Sequence, residues 1–235
     1  MKDESKPGHD NLDDDDLDDD AEHEVQLAQH ERTAAARALL DRPAPPSIGD
    51  LAALCVRFVE RAVGVRLDYT AETLPLLDHY LRHARVTLLP HVAGDVPAEE
   101  SREVVVQSAG AYLGEVIRRR HPAWWRIAAD GREHRLELHE AWMVVRPMSF
   151  VADAIRSDLE AQGTSLDGLD LDADDRPAVE ARLAELPEVE LDEFVAPSTR
   201  LEVIDIAVDA IRARYLADDG AAPALEPEEY AQARR

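Results

Sequence analysis

Apolar positions recur with a helical period along most of the chain. In residues 48–63 they fall three and four apart along one side, which is the pattern of a helix that faces a core. This stripe consists of Leu51, Leu54, Cys55, Phe58, Val59 and Ala62. Similar patterns predict further helices at 24–41, 73–86, 98–120, 147–161, 176–186 and 199–216. Helices therefore make up most of the predicted structure.

The period changes from helical to two in one stretch, at about 123–146. Alternating apolar and polar residues predict strands at 124–129 and 134–139, and the Asp-Gly dipeptide between them favours a tight hairpin turn. Residues 142–145 predict a third strand. We therefore expect an α+β fold that is mainly helical, with a small antiparallel sheet of two to three strands packed by helices.

The chain divides into four regions by composition. Residues 1–23 contain runs of aspartate and few apolar side chains, which predicts a disordered acidic tail. Residues 24–46 combine a weakly amphipathic helix with the sequence R-P-A-P-P, and they predict a peripheral helix and a proline-rich linker. Residues 47–217 hold the remaining elements and predict a single α+β domain. Residues 218–235 predict a frayed C-terminal tail.

The chain is strongly acidic, with 50 Asp and Glu against 26 Lys and Arg and a formal net charge of -24. Such a charge repels phosphate backbones and anionic lipids, so neither a nucleic acid nor a membrane is an expected partner. Cys55 is the only cysteine, which favours a reducing, cytoplasmic setting. The acidic N-terminus is also unlike a secretory signal. All but two of the cations are arginine, which, with the high alanine content, is typical of a GC-rich bacterial genome.

Four side chains near the middle of the chain are candidates for a binding site. Tyr112 and Glu115 lie on adjacent faces of one predicted helix, where Glu115 and Arg119 have the spacing of a stabilising ion pair. A buried Glu115 would instead indicate a functional site. Trp124 and Trp125 are predicted to point to opposite faces of the sheet. One of them is therefore expected in the core, and the other is a candidate anchor at an interface.

Two glycines in the same predicted helix indicate close packing. Gly110 and Gly114 lie four residues apart on one face, and each costs about 1 kcal/mol of helix propensity relative to alanine. We therefore expect another backbone to approach this face, so that a larger residue at Gly114 would be strongly destabilising.

Residues 67–89 read L-D-Y-T followed by L-x-x-L-D-x-Y-L, and residues 109–155 contain G-A-Y-L-G-E-V-I-R-R, a tryptophan strand and P-M-S-F. In these motifs the chain resembles a group of uncharacterised bacterial proteins over roughly a third of its length. The resemblance implies an α+β domain. It implies no activity, cofactor or residue role.

No catalytic signature is present in the sequence. It contains no nucleophile elbow, phosphate-binding loop, dinucleotide fingerprint or Cys-His zinc spacing, so no catalytic residue and no cofactor is expected. His79 and His83 do have the four-residue spacing that lets two imidazoles hold one metal ion. Tyr80, however, stands where a zinc protease helix would place its glutamate.

Two hypotheses about function remain open from the sequence. The favoured one is a non-catalytic cytoplasmic bacterial protein that binds a basic protein partner, in an immunity-like or regulatory role. The alternative is a metal-dependent enzyme or metal binder that uses His79 and His83. The first predicts electrostatic attraction to a positive surface, and the second predicts additional metal ligands close to the two histidines.

Overall fold

A computed structural model of the chain describes residue 27, Gly131 and the ranges 30–88, 98–129, 133–156, 166–218 and 220–232. The predicted acidic tail at 1–23 lies outside the described residues. The fold is α+β and mainly helical, as the apolar periodicity predicts. None of the described helices is both long enough and apolar enough to cross a membrane.

The order of the elements follows the predicted alternation of long helices around a short sheet region. The helices are α1 (30–40), α2 (Pro46–Val63), α3 (Leu74–His83), α4 (Ala98–Arg120), α5 (Pro147–Ala154), α6 (Arg176–Leu183), α7 (Leu191–Phe194), α8 (Pro197–Asp218) and α9 (Pro227–Gln232). The strands are β1 (Ala123–Arg126), β2 (Arg135–Leu138), β3 (Met143–Val145) and β4 (Leu169–Leu171). A 3-10 turn (Ala71–Thr73) precedes α3, and a π-helical turn (Ala84–Leu88) follows it.

Within the described residues the sheet has four antiparallel strands in the order β1-β2-β3-β4, whereas two to three were predicted. The additional strand, β4, lies in a segment whose acidity predicts a loop. Its Leu169 and Leu171 are buried, whereas Asp170 points away from them and pairs with Arg146. The alternation of a strand is therefore present, but it spans only three residues between carboxylates, and the composition of the segment hides it.

Helix α4 is the central helix of the domain. It packs against α2 and α5, and it also contacts β2. From Ser108 to Arg118 every residue of α4 is buried, so this part of the helix has no solvent face. Two charged side chains, Glu115 and Arg118, are therefore enclosed along with the apolar ones.

The N-terminal segment enters the domain without an extended spacer. Helix α1 is mostly exposed, as expected of a peripheral helix, but Leu39 near its end is buried. The predicted linker runs directly into α2, which begins at Pro46, and Ala44 packs against the core. Cys55 on α2 is buried, and burial strongly raises the pKa of its thiol, which favours the uncharged form.

The predicted fraying of 218–235 is wrong for Pro227–Gln232, because these residues form helix α9, which docks against the sheet region. Tyr230 is only 1% exposed. Its hydroxyl donates to the carbonyl oxygen of Leu138 at 2.6 Å or Ala141 at 2.8 Å, and it accepts from the backbone N–H of Met143 at 3.1 Å. One aromatic side chain therefore satisfies backbone groups at the turn between β2 and β3, which composition alone does not reveal.

The Tyr230 hydroxyl should contribute measurably to stability. Tyr230→Phe leaves a buried N–H and buried carbonyl oxygens without their partner, so we expect it to lower the free energy of unfolding by about 1–3 kcal/mol. Urea denaturation measures the change. Tyr215→Phe is the control, because the Tyr215 hydroxyl bonds no backbone group among the described residues. An equal effect of both substitutions would contradict this account of α9.

Candidate functional site

The centre of the site is an ion pair inside helix α4. Glu115 and Arg118 are 3% and 6% exposed at their side chains. Arg118 donates from Nε to Glu115 Oε1 and from Nη2 to Oε2, both at 2.9 Å, in a bidentate arrangement. Its Nη1 donates to the carbonyl oxygen of Leu39 at 3.0 Å. The expected pairing of Glu115 with Arg119 is wrong. Arg118, three residues after Glu115, is buried together with it, whereas Arg119, four residues after it, is exposed.

Trp125 of β1 contacts the same carboxylate. Its indole N–H donates to Glu115 Oε1 at 2.7 Å, so that this oxygen accepts two hydrogen bonds. The indole ring lies directly over Gly114, where a Cβ atom would overlap with the ring and would lie 3.2 Å from Cγ of Pro147. The close approach predicted for this face therefore occurs, but at Gly114 the neighbour is a side chain and not a backbone.

Tyr112 holds the loop before α3 in place. Its ring is buried, and its hydroxyl accepts from the backbone N–H of Tyr69 and shares a hydrogen bond with Thr73 Oγ1, both at 3.0 Å. Asp68 supports the same loop by accepting from the backbone N–H of Thr70 at 3.0 Å and from the Thr73 hydroxyl at 2.9 Å. The hydrogen bonds from Thr70 and Thr73 lower the pKa of Asp68, because they stabilise its charged form.

Tyr69 is held in a conformation that non-glycine residues rarely adopt. Its φ is 66°, and it is the one non-glycine residue with a positive φ among those described. The Tyr69 and Tyr112 ring centroids lie 4.9 Å apart, and the guanidinium carbon of Arg119 lies 4.3 Å from the Tyr69 centroid on a cation-π contact. Such backbone strain persists only where surrounding contacts impose it, and it is common at functional sites.

A cleft of about 550 Å³ lies between the 40–44 segment and helix α4, and we call it the Tyr69 cleft. Its size lies within the range of small-molecule sites. Glu115 and Arg118 line it beside Arg119 and Tyr69, and the 40–44 segment forms the facing wall. The segment predicted to be a linker is therefore part of the site.

Trp124 lies outside the Tyr69 cleft but next to it. It is half-exposed, and its ring packs edge-on against His139 with 5.4 Å between centroids. It lines a second depression of about 390 Å³, together with Trp125, Arg118 and the 42–46 segment. Of the four candidates from the sequence, Tyr112, Glu115 and Trp125 thus surround one cluster, and Trp124 borders the adjoining depression.

Three important residues of the site were not among the sequence candidates. Arg118 and Arg119 are two of three consecutive arginines at the end of α4, where cations favourable to the helix dipole are common, so nothing in the pattern marks one as buried and the next as stacked. Tyr69 lies in the D-Y-T motif, but a tyrosine gives no signal of a positive φ, which is more typical of glycine or asparagine.

His79 and His83 both lie on exposed positions of α3. Across the described parts of the chain, no three His, Cys, Asp or Glu side chains come together in a way that could hold a metal ion. The neighbouring Asp78 has a different role. Its carboxylate accepts from the backbone N–H of Ser198 at 3.2 Å and from the Ser198 hydroxyl at 2.5 Å, and so it caps the start of α8.

Comparison of the chain with protein-family models, with curated proteins and with solved structures found no match. The resemblance of 67–89 and 109–155 to a bacterial group therefore remains an expectation. Function has to be argued from the geometry and charge of this chain.

Removing the Glu115 carboxylate should be costly. Glu115→Ala leaves the Arg118 guanidinium buried without its counter-ion, and we expect a loss of about 3–5 kcal/mol in the free energy of unfolding. The control is Glu180→Ala, which breaks the exposed pair with Arg176 and should cost less than about 1 kcal/mol. Chemical denaturation of both variants measures the difference, and similar values would show that the buried pair does not have this role.

The two glycines of α4 should respond differently to compensating substitutions. A Cβ at Gly110 meets backbone Cα and N of Met148 at 2.8 and 3.0 Å as well as its side-chain Cγ at 2.9 Å, whereas one at Gly114 meets the Trp125 ring. Each alanine substitution alone should destabilise by about 1–3 kcal/mol through overpacking. In double-mutant cycles, Trp125→Phe should couple strongly to Gly114→Ala. Met148→Ala should couple less to Gly110→Ala, because it removes the Cγ contact but leaves the contacts with backbone Cα and N. Equal coupling in the two cycles would contradict this distinction.

Proposed function

We propose that this protein acts without catalysis, in the cytoplasm, by binding a basic protein partner through an acidic surface next to helix α7. The main observation in support of this proposal is the charge of residues 166–193, which contain eleven acidic side chains and two arginines. A positive surface would be attracted to this region over a distance and bound faster than a neutral one.

The longest run of exposed residues in this region is the stretch 184–190, which we call the acidic loop. All seven of its residues are exposed. Glu188 and Glu190 form no ion pair with any described residue, while Glu185 pairs with the largely exposed Arg182 at 3.0 Å. The carboxylates of Glu188 and Glu190 can therefore bind a partner without breaking an internal ion pair.

The acidic loop also carries apolar surface. Leu186 is 46% exposed and Val189 is 43% exposed, and both lie between glutamates. Charged groups at an interface govern the rate and orientation of association, whereas affinity comes mainly from desolvated apolar contacts. The combination supports binding of a partner that offers cations around an apolar centre.

Trp124 is less suited to this role than the sequence suggests. The depression that it lines also contains Arg42 and Arg118, and Arg126 follows on the same face of β1. Arg118 and Arg126 are neutralised by Glu115 and Glu137, so this face presents no excess of negative charge to attract a basic partner. Trp125 is unsuitable as an interface probe for another reason: its indole is part of the buried cluster, so its removal would change folding.

The proposal predicts that charge reversal in the acidic loop abolishes binding. Tagged full-length protein is incubated with extract of its own cells at low and at physiological ionic strength, and captured proteins are identified by mass spectrometry. We expect a basic protein whose capture falls at least about tenfold with Glu188→Lys plus Glu190→Lys, and falls as salt rises.

The matched control is Glu99→Lys plus Glu100→Lys. It changes the net charge equally, at exposed positions on α4, whose main packing partners among the described elements are α2 and α5. This control and Trp124→Ala should both retain capture. Equal loss in both charge-reversed proteins would show that net charge alone governs capture, and a loss confined to Trp124→Ala would place the partner on the sheet. Either result contradicts the proposed surface.

A further inference from the structure

Four arginines around Tyr69 lack acidic partners. Arg42 and Arg119 line the Tyr69 cleft, while Arg57 and Arg66 line a second cavity of about 260 Å³ that meets the cleft at Tyr69. None of the four forms an ion pair with a described residue, whereas thirteen of the twenty-one described arginines do. In a chain with about twice as many acids as bases, a group of arginines without acidic partners at one place favours an anionic ligand there.

Arg119 is a candidate to hold such an anion. Its guanidinium carbon lies 4.3 Å from the Tyr69 ring centroid, and Tyr69 is itself fixed by the hydrogen bond from its backbone N–H to the buried Tyr112 hydroxyl. Arg119 also lines the cleft, and no carboxylate of the described residues pairs with it. Its planar guanidinium offers paired N–H donors that match two oxygens of a carboxylate or a phosphate.

A second arginine, Arg66, borders the second cavity together with Tyr69. Burial is the main cause that raises the pKa of Tyr69; Glu115 also raises it, while the positive charges of Arg119 and Arg66 lower it. The hydroxyl is itself a hydrogen-bond donor that an oxyanion held between the two arginines could accept from.

The walls of the two cavities are mainly apolar. Ala44 and Ala52 line the Tyr69 cleft, and Val56 and Leu67 line the second cavity. Cavities with apolar walls and a few convergent polar groups are typical of sites for small organic molecules. A bare inorganic ion would leave these walls in contact with water and would fill little of the combined space.

We propose that the Tyr69 cleft and its adjoining cavity bind a small organic oxyanion, namely a phosphate monoester or a carboxylate that carries an apolar group. Arg119 and Arg66 bind the oxygens, the Tyr69 hydroxyl donates to them, and the apolar group lies against the alanine and valine walls. The site is distinct from the acidic loop, so its test is independent of the proposed protein partner.

The net charge of -24 does not prevent this binding. The screening length is about 8 Å at physiological ionic strength, so carboxylates on distant parts of the surface contribute little at the cleft. The guanidiniums act at contact distance, where a bidentate hydrogen bond between charged groups is strong. The most acidic segment, 166–193, contributes no residue to either cavity. Asp41 and Glu115 do line the Tyr69 cleft, and Glu60 lines the second cavity, so arginines exceed carboxylates by three to two in the first and by two to one in the second.

The test is a titration of the full-length protein with phenyl phosphate, with benzoate and with inorganic phosphate, followed by NMR of the tryptophan indole N–H signals. Trp125 reports on the site because its N–H donates to Glu115, which lines the cleft. We expect saturable shifts with at least one organic anion, and binding of inorganic phosphate at least about tenfold weaker because it lacks the apolar group.

Three variants decide whether the named arginines hold the anion. Arg119→Gln and Arg66→Gln should each weaken binding about tenfold or more, because each removes a charged hydrogen bond. Arg61→Gln is the matched control: it removes the same charge from an exposed position of α2 that lines neither cavity.

Preference for phenyl phosphate over benzoate assigns a phosphate ligand, and the reverse assigns a carboxylate. The proposal is overturned if neither organic anion saturates by about 10 mM, if inorganic phosphate binds as well, or if Arg61→Gln weakens binding equally.

Discussion

The buried pair of Glu115 and Arg118 is the constraint on which the arrangement of the domain depends. A buried ion pair adds little net stability over apolar residues of the same size, but it is very costly to break, because either charge alone cannot be left in a low-dielectric interior. Every structure that this chain adopts must therefore satisfy both charges together. The native one does so by bringing the Leu39 carbonyl from the N-terminal segment and the Trp125 indole from β1 to the same helix. The pair thus fixes the positions of three separate parts of the chain.

The sequence predicts the helices well because their stabilisation is local and periodic. The long helices and the hairpin follow from spacing, and Gly110 indicates a close backbone contact that the structure confirms at Met148. The features that the sequence does not predict all rest on long-range partners. Strand β4 forms because Leu169 and Leu171 can pair with β3, and helix α9 docks because Tyr230 finds free backbone groups at the turn between β2 and β3. A three-residue alternation and a single tyrosine are too little signal to stand out from an acidic background.

Prediction of the site from the sequence has the same limit, because the roles of single side chains also depend on long-range partners. Tyr112, Glu115 and Trp125 could be identified as candidates because they lie on predicted elements near one another. Which of two successive arginines turns inward could not be predicted, because the difference is one helical position, about 100° around α4. That rotation encloses Arg118 against Glu115 and leaves Arg119 exposed on the Tyr69 ring. Two residues of identical type therefore have opposite roles, one satisfied inside the protein and one open to solvent.

The almost exclusive use of arginine is consistent with these roles. A lysine at position 118 could not bond both Glu115 oxygens and the Leu39 carbonyl with the fixed geometry of a guanidinium, and at position 119 it would stack less well on Tyr69. Elsewhere, arginines neutralise carboxylates that must pack closely, such as Glu137 between Arg126 and Arg135 on the sheet. Because many arginines form internal ion pairs, the unpaired charges of opposite sign lie on different parts of the surface. Carboxylates dominate the acidic loop, while the cavities beside Tyr69 keep arginines without partners, so one acidic chain presents two surfaces of opposite local charge.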